Sequence, residues 1–122
     1  MSKIVKIPGP DHPITITRIP DRIVVEIDGK VLADTRESLT LQEADYKPVH
    51  YIPRRHVAME RLVRTSHSTY CPYKGDCSYY SIPEAGERGV NAVWSYETPH
   101  QAVALIEAYL AFYPDRVTIR VE

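Results

Sequence analysis

Ile14-Thr15-Ile16-Thr17-Arg18-Ile19, then Pro20-Asp21, then Arg22-Ile23-Val24-Val25-Glu26-Ile27 is the stretch that decides the fold class. The first run alternates apolar and polar residues with period two, as a half-buried strand does. The proline and aspartate interrupt it, and the second run resumes an extended, β-branched pattern, so the pair predicts a hairpin. Asp28-Gly29 follows, a dipeptide suited to a two-residue turn whose central positions both need positive φ. It leads into Lys30-Val31-Leu32-Ala33, and Ser38-Leu39-Thr40-Leu41-Gln42 reads as a fourth strand. The first third of the chain therefore predicts an antiparallel meander and a mainly β protein.

Outward from that region, Val49-His50-Tyr51-Ile52 is a short extended run closed by Pro53. A short helix is expected from Arg54 to about Val63, because proline is favoured at a first helical position. Ser68-Thr69-Tyr70 and Ser78-Tyr79-Tyr80-Ser81-Ile82 read as strands flanking a turn from Cys71 to Cys77, and Gly86 to Gly89 turns the chain into Val90–Tyr96. A long helix is expected from Thr98-Pro99 to about Phe112. The threonine is a good N-cap, and Ala102, Leu105, Ile106, Tyr109 and Leu110 recur at helical spacing. Val117-Thr118-Ile119-Arg120-Val121 is a closing strand.

With 122 residues and no flexible joint in its middle, the chain is expected to form a single domain over residues 1–122. Its 43% hydrophobic and 25% charged residues suit an ordinary core with a soluble surface. Fifteen basic against sixteen acidic residues leave almost no net charge, hence no long-range pull toward nucleic acid or an anionic membrane, and neither is expected as a partner. Met1-Ser2-Lys3-Ile4-Val5-Lys6 lacks the apolar core of a signal peptide, and the two cysteines suit a reducing compartment, so a cytoplasmic location is expected. Nine tyrosines against one Phe and one Trp are the unusual feature. Tyrosine joins an apolar ring to a polar tip, which suits the wall of a half-wet cleft; it is also a good strand former for an exposed sheet face.

The runs Tyr51-Ile52-Pro53, Cys71-Pro72-Tyr73-Lys74-Gly75 with Tyr79-Tyr80 beyond it, Val93-Trp94-Ser95-Tyr96 with Pro99, and Ala111-Phe112-Tyr113-Pro114 together resemble the bacterial domain-of-unknown-function family numbered 427. The order and spacing agree over nearly the whole chain. The resemblance implies a β-tent of the Mss4-like type, antiparallel strands with one long C-terminal helix and one short helix, and it carries a nucleotidyltransferase-like label. The chain departs from the family pattern at Arg55 and His56, where acidic residues are expected, and at Cys77, where alanine is. Metal-dependent nucleotidyl transfer needs closely spaced carboxylates, and the chain has no Asp-x-Asp or Asp-x-Glu; Lys74-Gly75 also lacks the upstream glycines of a phosphate loop.

Within these motifs Cys71 is the candidate nucleophile: it is bracketed by tyrosines, stiffened by Pro72 and followed three residues on by the ammonium of Lys74, which favours a thiolate. His50, His56 and His67 are its candidate bases. The alternative is a half-buried structural cysteine. Lys74 and Gly75 are candidate anion binders, with Arg54 as a second cation and Tyr51, Tyr73, Tyr80 and Tyr96 as the aromatic lining. Trp94 and Tyr96, two residues apart on one strand, share a face that either stacks on a planar ligand or packs into the core. A zinc site from Cys71, Cys77 and two histidines would have an unusual five-residue gap between the cysteines, so no metal and no cofactor are expected. Three functions follow: a module binding an anionic small molecule, an enzyme using Cys71, or an interaction protein whose tyrosine face makes a homodimer contact.

Overall fold

The structure is a computed structural model describing residues 3–122, so Met1 and Ser2, the start of the N-terminal stretch read above, lie outside it. The second run of the opening stretch forms β2 (Ile23–Ile27), in which Ile23, Val24, Val25 and Ile27 are all buried. A strand apolar on both sides needs cover on both faces and a neighbour at both edges. Accordingly β2 is central in an antiparallel sheet, between β3 (Lys30–Thr35) and the closing strand β10 (Thr118–Val121). The turn into β3 has Asp28 at φ 50° and Gly29 at φ 80°, the positive values that Asp-Gly accommodates.

The hairpin expected between the first two strands does not form. β1 (Ile14–Arg18) pairs instead with β4 (Leu39–Glu43), which pairs on its other side with β5 (Val49–Tyr51), and these make a second antiparallel sheet. The physical reason lies in the two runs themselves. β1 alternates and turns only one side inward, whereas β2 has two apolar sides, and Pro20 removes a ladder donor between them.

A third antiparallel sheet runs β6 (Val63–Cys71), β7 (Gly75–Ser81), β8 (Val93–Ser95), β9 (Ala111–Phe112). Its two faces bury different clusters. Tyr80, Val93 and Phe112 lie in register and join the cluster around Ile23, Val25 and Ile82; Tyr79, Trp94 and Ala111 lie in register one position away and join the cluster around Leu41, Tyr51 and Tyr96. Period two along a strand thus sends adjacent tyrosines to opposite sides of the sheet. The chain after β5 is stitched to this sheet by reciprocal backbone bonds between Ile52 and Leu110, at 2.8 and 2.9 Å.

Both expected helices are corrected. Arg54–Val63 holds two separate 3₁₀ turns, Arg54–His56 and Met59–Arg61, and Val63 already belongs to β6. The long helix from Thr98 to Phe112 is replaced by a 3₁₀ segment, Gln101–Ile106, kinked at Val103. Here Val103 and Ile106 are buried at a spacing of three, while Leu105, counted on the apolar face of the expected helix, is 65% exposed. Ala108, at φ 63°, then turns the chain out of helical space, and Leu110 to Phe112 are claimed by the pairing with Ile52 and β8. Another 3₁₀ segment, Pro83–Gly89, leads from β7 toward β8. Among the described residues, no helix is long and apolar enough to cross a membrane.

Candidate functional site

Cys71, Pro72, Tyr73 and Lys74 form a β-turn between β6 and β7, closed by the Lys74 N–H donating to the Cys71 carbonyl at 3.2 Å, with proline at the position that favours its fixed φ. Gly75 follows at φ 108°, where a Cβ would be strained and would lie 3.4 Å from the His100 nitrogen. That close approach lets the Lys74 carbonyl accept the His100 N–H at 2.9 Å. The turn is therefore held from below by the chain entering the Gln101–Ile106 segment, and Lys74 points its side chain inward.

The Lys74 ammonium meets Glu43 Oε1 at 2.5 Å and lies 5.7 Å from the centre of the Tyr96 ring. Both ends of the ion pair are nearly enclosed, with Lys74 and Glu43 side chains 12% and 11% exposed. The second oxygen of Glu43 is held by His12 Nε2 at 2.8 Å. Burial pushes the Glu43 carboxyl up, but the hydrogen bonds and charges of Lys74 and His12 outweigh it and hold the group below its ordinary range. Tyr73 turns away from this interior and stacks on the His12 ring, 4.1 Å between centroids.

Lys74 lines a cavity of about 180 Å³ whose walls include Tyr51, Tyr79, Tyr96, Tyr113 and Trp94, with Cys77 in its floor. Trp94 donates its indole N–H to the Tyr51 hydroxyl at 3.2 Å and tilts against Tyr113, while the Tyr79 hydroxyl bonds Thr69 at 2.9 Å. Burial drives the Tyr51, Tyr79 and Tyr96 phenols up, out of reach of ionisation at neutral pH, so they serve as neutral hydrogen-bonding tips. Burial likewise raises the Cys77 thiol, which keeps it a thiol.

Of the residues singled out in the sequence, Tyr51, Lys74 and Tyr96 come together around this cavity, and Gly75 shapes the turn that aims Lys74. Arg54 and Tyr80 form a different assembly. Arg54 donates to the Ala108 carbonyl at 3.0 Å, to the Tyr80 hydroxyl at 3.1 Å and to Glu97 at 3.0 Å, and Tyr80 donates to the same Glu97 oxygen at 2.7 Å. Tyr80 packs with the cluster on the far side of the β6–β9 sheet from Tyr96. Cys71 is half-buried at the edge of the tyrosine cluster. Its candidate bases are engaged elsewhere. His50 bonds Thr40 at 3.0 Å, His56 bonds Thr35 at 2.7 Å, and His67 leans on the Tyr79 ring at 4.4 Å. Among the described residues, no three His, Cys, Asp or Glu side chains gather as metal ligands would.

Sequence reasoning missed Glu43, His12, Tyr79 and Tyr113 as members of this site. For Glu43 the signal was present: Leu39, Leu41 and Glu43 alternate along β4 and all three are buried, so period two places a carboxylate on an inward face, where it requires a cation. A mainly β protein of three antiparallel sheets, with one lysine reaching a tyrosine-walled cavity, is the class that fold and site define. The chain belongs to the family described as a domain of unknown function (DUF427), whose pattern matches residues 15–122. No curated protein matches the chain as a relative.

Proposed function

We propose that this chain is a small-molecule binding module of the bacterial cytoplasm, a β-tent of the Mss4-like type whose ligand places an acidic group against Lys74 in the tyrosine cavity. The observation that carries this reading is a lysine ammonium, nearly enclosed, at the wall of a cavity ringed by tyrosines and Trp94. An ammonium has three donors. One is used by Glu43, one side of the group faces the Tyr96 ring, and the remaining donor capacity suits a carboxylate or phosphate oxygen. The tyrosine hydroxyls orient the rest of the molecule, as a few polar groups on an apolar wall do in small-molecule sites.

The test is a thermal-shift screen of organic acids and phosphates on the wild type and on the double variant Lys74→Met with Glu43→Gln, which removes both charges together. A ligand at a hundredfold its Kd adds about 2.7 kcal/mol of stability. A stabilising acid whose effect vanishes in the double variant supports the proposal. An acid that stabilises both proteins equally, or a screen in which no acid stabilises the wild type, contradicts it.

A further inference from the structure

Beside the tyrosine cavity lies a larger groove, about 380 Å³, and the two share Val49 and Trp94 as wall residues. Their chemistry differs. The groove is walled by Pro48, Phe112, Pro114, Ile119 and Val121, an apolar surface without the hydroxyls of its neighbour. Its volume falls within the ordinary range of small-molecule sites, about 300–1,000 Å³, while the tyrosine cavity alone, about 180 Å³, is smaller than that range. The charges of the two linings agree. Among the described residues each lining contains one lysine, Lys47 in the groove and Lys74 in the cavity, and neither contains a carboxylate; Glu43 reaches Lys74 from outside the lining. His50, also in the groove, is held below its ordinary range by burial despite the nearby Asp21, so it adds no charge at neutral pH.

We propose that groove and cavity are two halves of one site, and that its ligand is an amphipathic organic acid whose apolar chain or ring lies in the groove and whose acid head reaches Lys74 past Trp94 and Val49. This rests on the binding reading above and extends it by naming the ligand's second half. An apolar body gains by leaving water for the groove, the more so the more methylenes it buries, and an acid head gives direction at the lysine. A short acid lacks the first contribution and an alcohol of the same length lacks the second. The affinity of the whole should therefore exceed that of either part.

Trp94 is the only tryptophan in the chain and stands in the wall common to both halves, so its fluorescence and its single indole N–H resonance report on both. The probes are acetate for the head, octanol for the body and octanoate for the two together, each titrated against the full chain. Octanoate is expected to bind at least tenfold more tightly than acetate and octanol. Lys74→Met with Glu43→Gln should weaken octanoate at least tenfold and leave octanol unchanged. Val121→Ser, on a half-exposed edge strand, should weaken octanoate and octanol together and leave acetate unchanged. If acetate binds through Lys74 and octanoate binds no more tightly, the two-part site is overturned while the lysine cavity stands. If octanoate binds equally well in the double variant, the groove works alone and the link to Lys74 is overturned. If none of the three perturbs Trp94, the two-part site is overturned, and the outcome of the acid screen separately decides the cavity.

Discussion

The two faces of the β6–β9 sheet carry the same ingredients, a cation, a glutamate and tyrosine, arranged to opposite effect. On one face Arg54 spends its donors on the Ala108 carbonyl, Tyr80 and Glu97, and Arg64 takes the other Glu97 oxygen at 3.1 Å. That assembly ties the Arg54–His56 turn, β7 and the chain before β9 into one knot, with its polar groups occupied by one another. On the other face Lys74 meets Glu43 and the Tyr96 ring but borders open space among the tyrosines. Residue type does not separate a structural cluster from a candidate site; unspent hydrogen-bonding capacity beside a cavity does. Guanidinium, with five donors in a fixed fork, suits the knot, and ammonium, a compact point charge, suits the cavity.

The largest expected effect is on the knot. Arg54→Ala leaves the Ala108 carbonyl unpaired and takes one charged partner from Glu97 and one donor from the Tyr80 hydroxyl, while Tyr80 and Arg64 still hold Glu97; it should lower stability by about 3 kcal/mol in urea denaturation and leave ligand binding in the cavity intact. Adding Glu97→Gln should not restore it, because the carbonyl remains unpaired. The cavity side should behave differently. Lys74→Met leaves Glu43 with His12 alone and should cost about 2 kcal/mol, most of it recovered when Glu43→Gln is added, since among the described residues no side-chain acceptor other than Glu43 takes a hydrogen bond from that ammonium. If the two double variants recover equally, the contrast between the faces fails.

Acid sharpens the comparison further. Burial opposes both carboxylates, yet Tyr80, Ser78 and the two arginines hold Glu97 below its ordinary range as Lys74 and His12 hold Glu43. A carboxyl depressed in the folded state contributes stability that is fully present above its unfolded value, near 4.5, and is lost as pH falls through the folded one. Stability should therefore fall below about pH 4.5, and Glu43→Gln and Glu97→Gln should each flatten part of that acid limb in pH-dependent thermal melts. The smallest effect is expected at Cys71. Cys71→Ala should change stability by about 1 kcal/mol or less and leave acid binding unchanged; lost binding would make the thiol part of the site.

How much of this was legible follows from the physics of each segment. The Asp28-Gly29 turn and the strands around it declare themselves locally, because alternation and positive φ are properties of neighbouring residues. The partner of a strand is not local: β1 and β2 look like a hairpin in sequence, although one buries a single side and the other both. The stretch after Thr98 carries apolar residues at a spacing that suits a helix. Only the claim of Ile52 and β8 on Leu110 to Phe112, a contact across half the chain, makes it 3₁₀ and strand. In the candidate site a similar reason applies: Tyr80 of β7 and Tyr96, just past β8, look alike in sequence, but strand register puts Tyr80 opposite Val93 and Tyr79 opposite Trp94, so it is Tyr79 and not Tyr80 that shares the cavity with Tyr96. Lys74 was legible from its turn. Its partner Glu43, 31 residues away, was legible only as a carboxylate on a buried face.

In the proposed site an acid is bound by the Lys74 ammonium beside Glu43. Calorimetric titration of octanoate into the wild type and into Glu43→Gln tests it most directly, because removing one negative charge beside the lysine should favour an incoming acid by roughly tenfold. Tighter binding in Glu43→Gln, abolished when Lys74→Met is added, is the predicted result. Unchanged or weaker binding in Glu43→Gln would mean that the acid is held somewhere other than at Lys74.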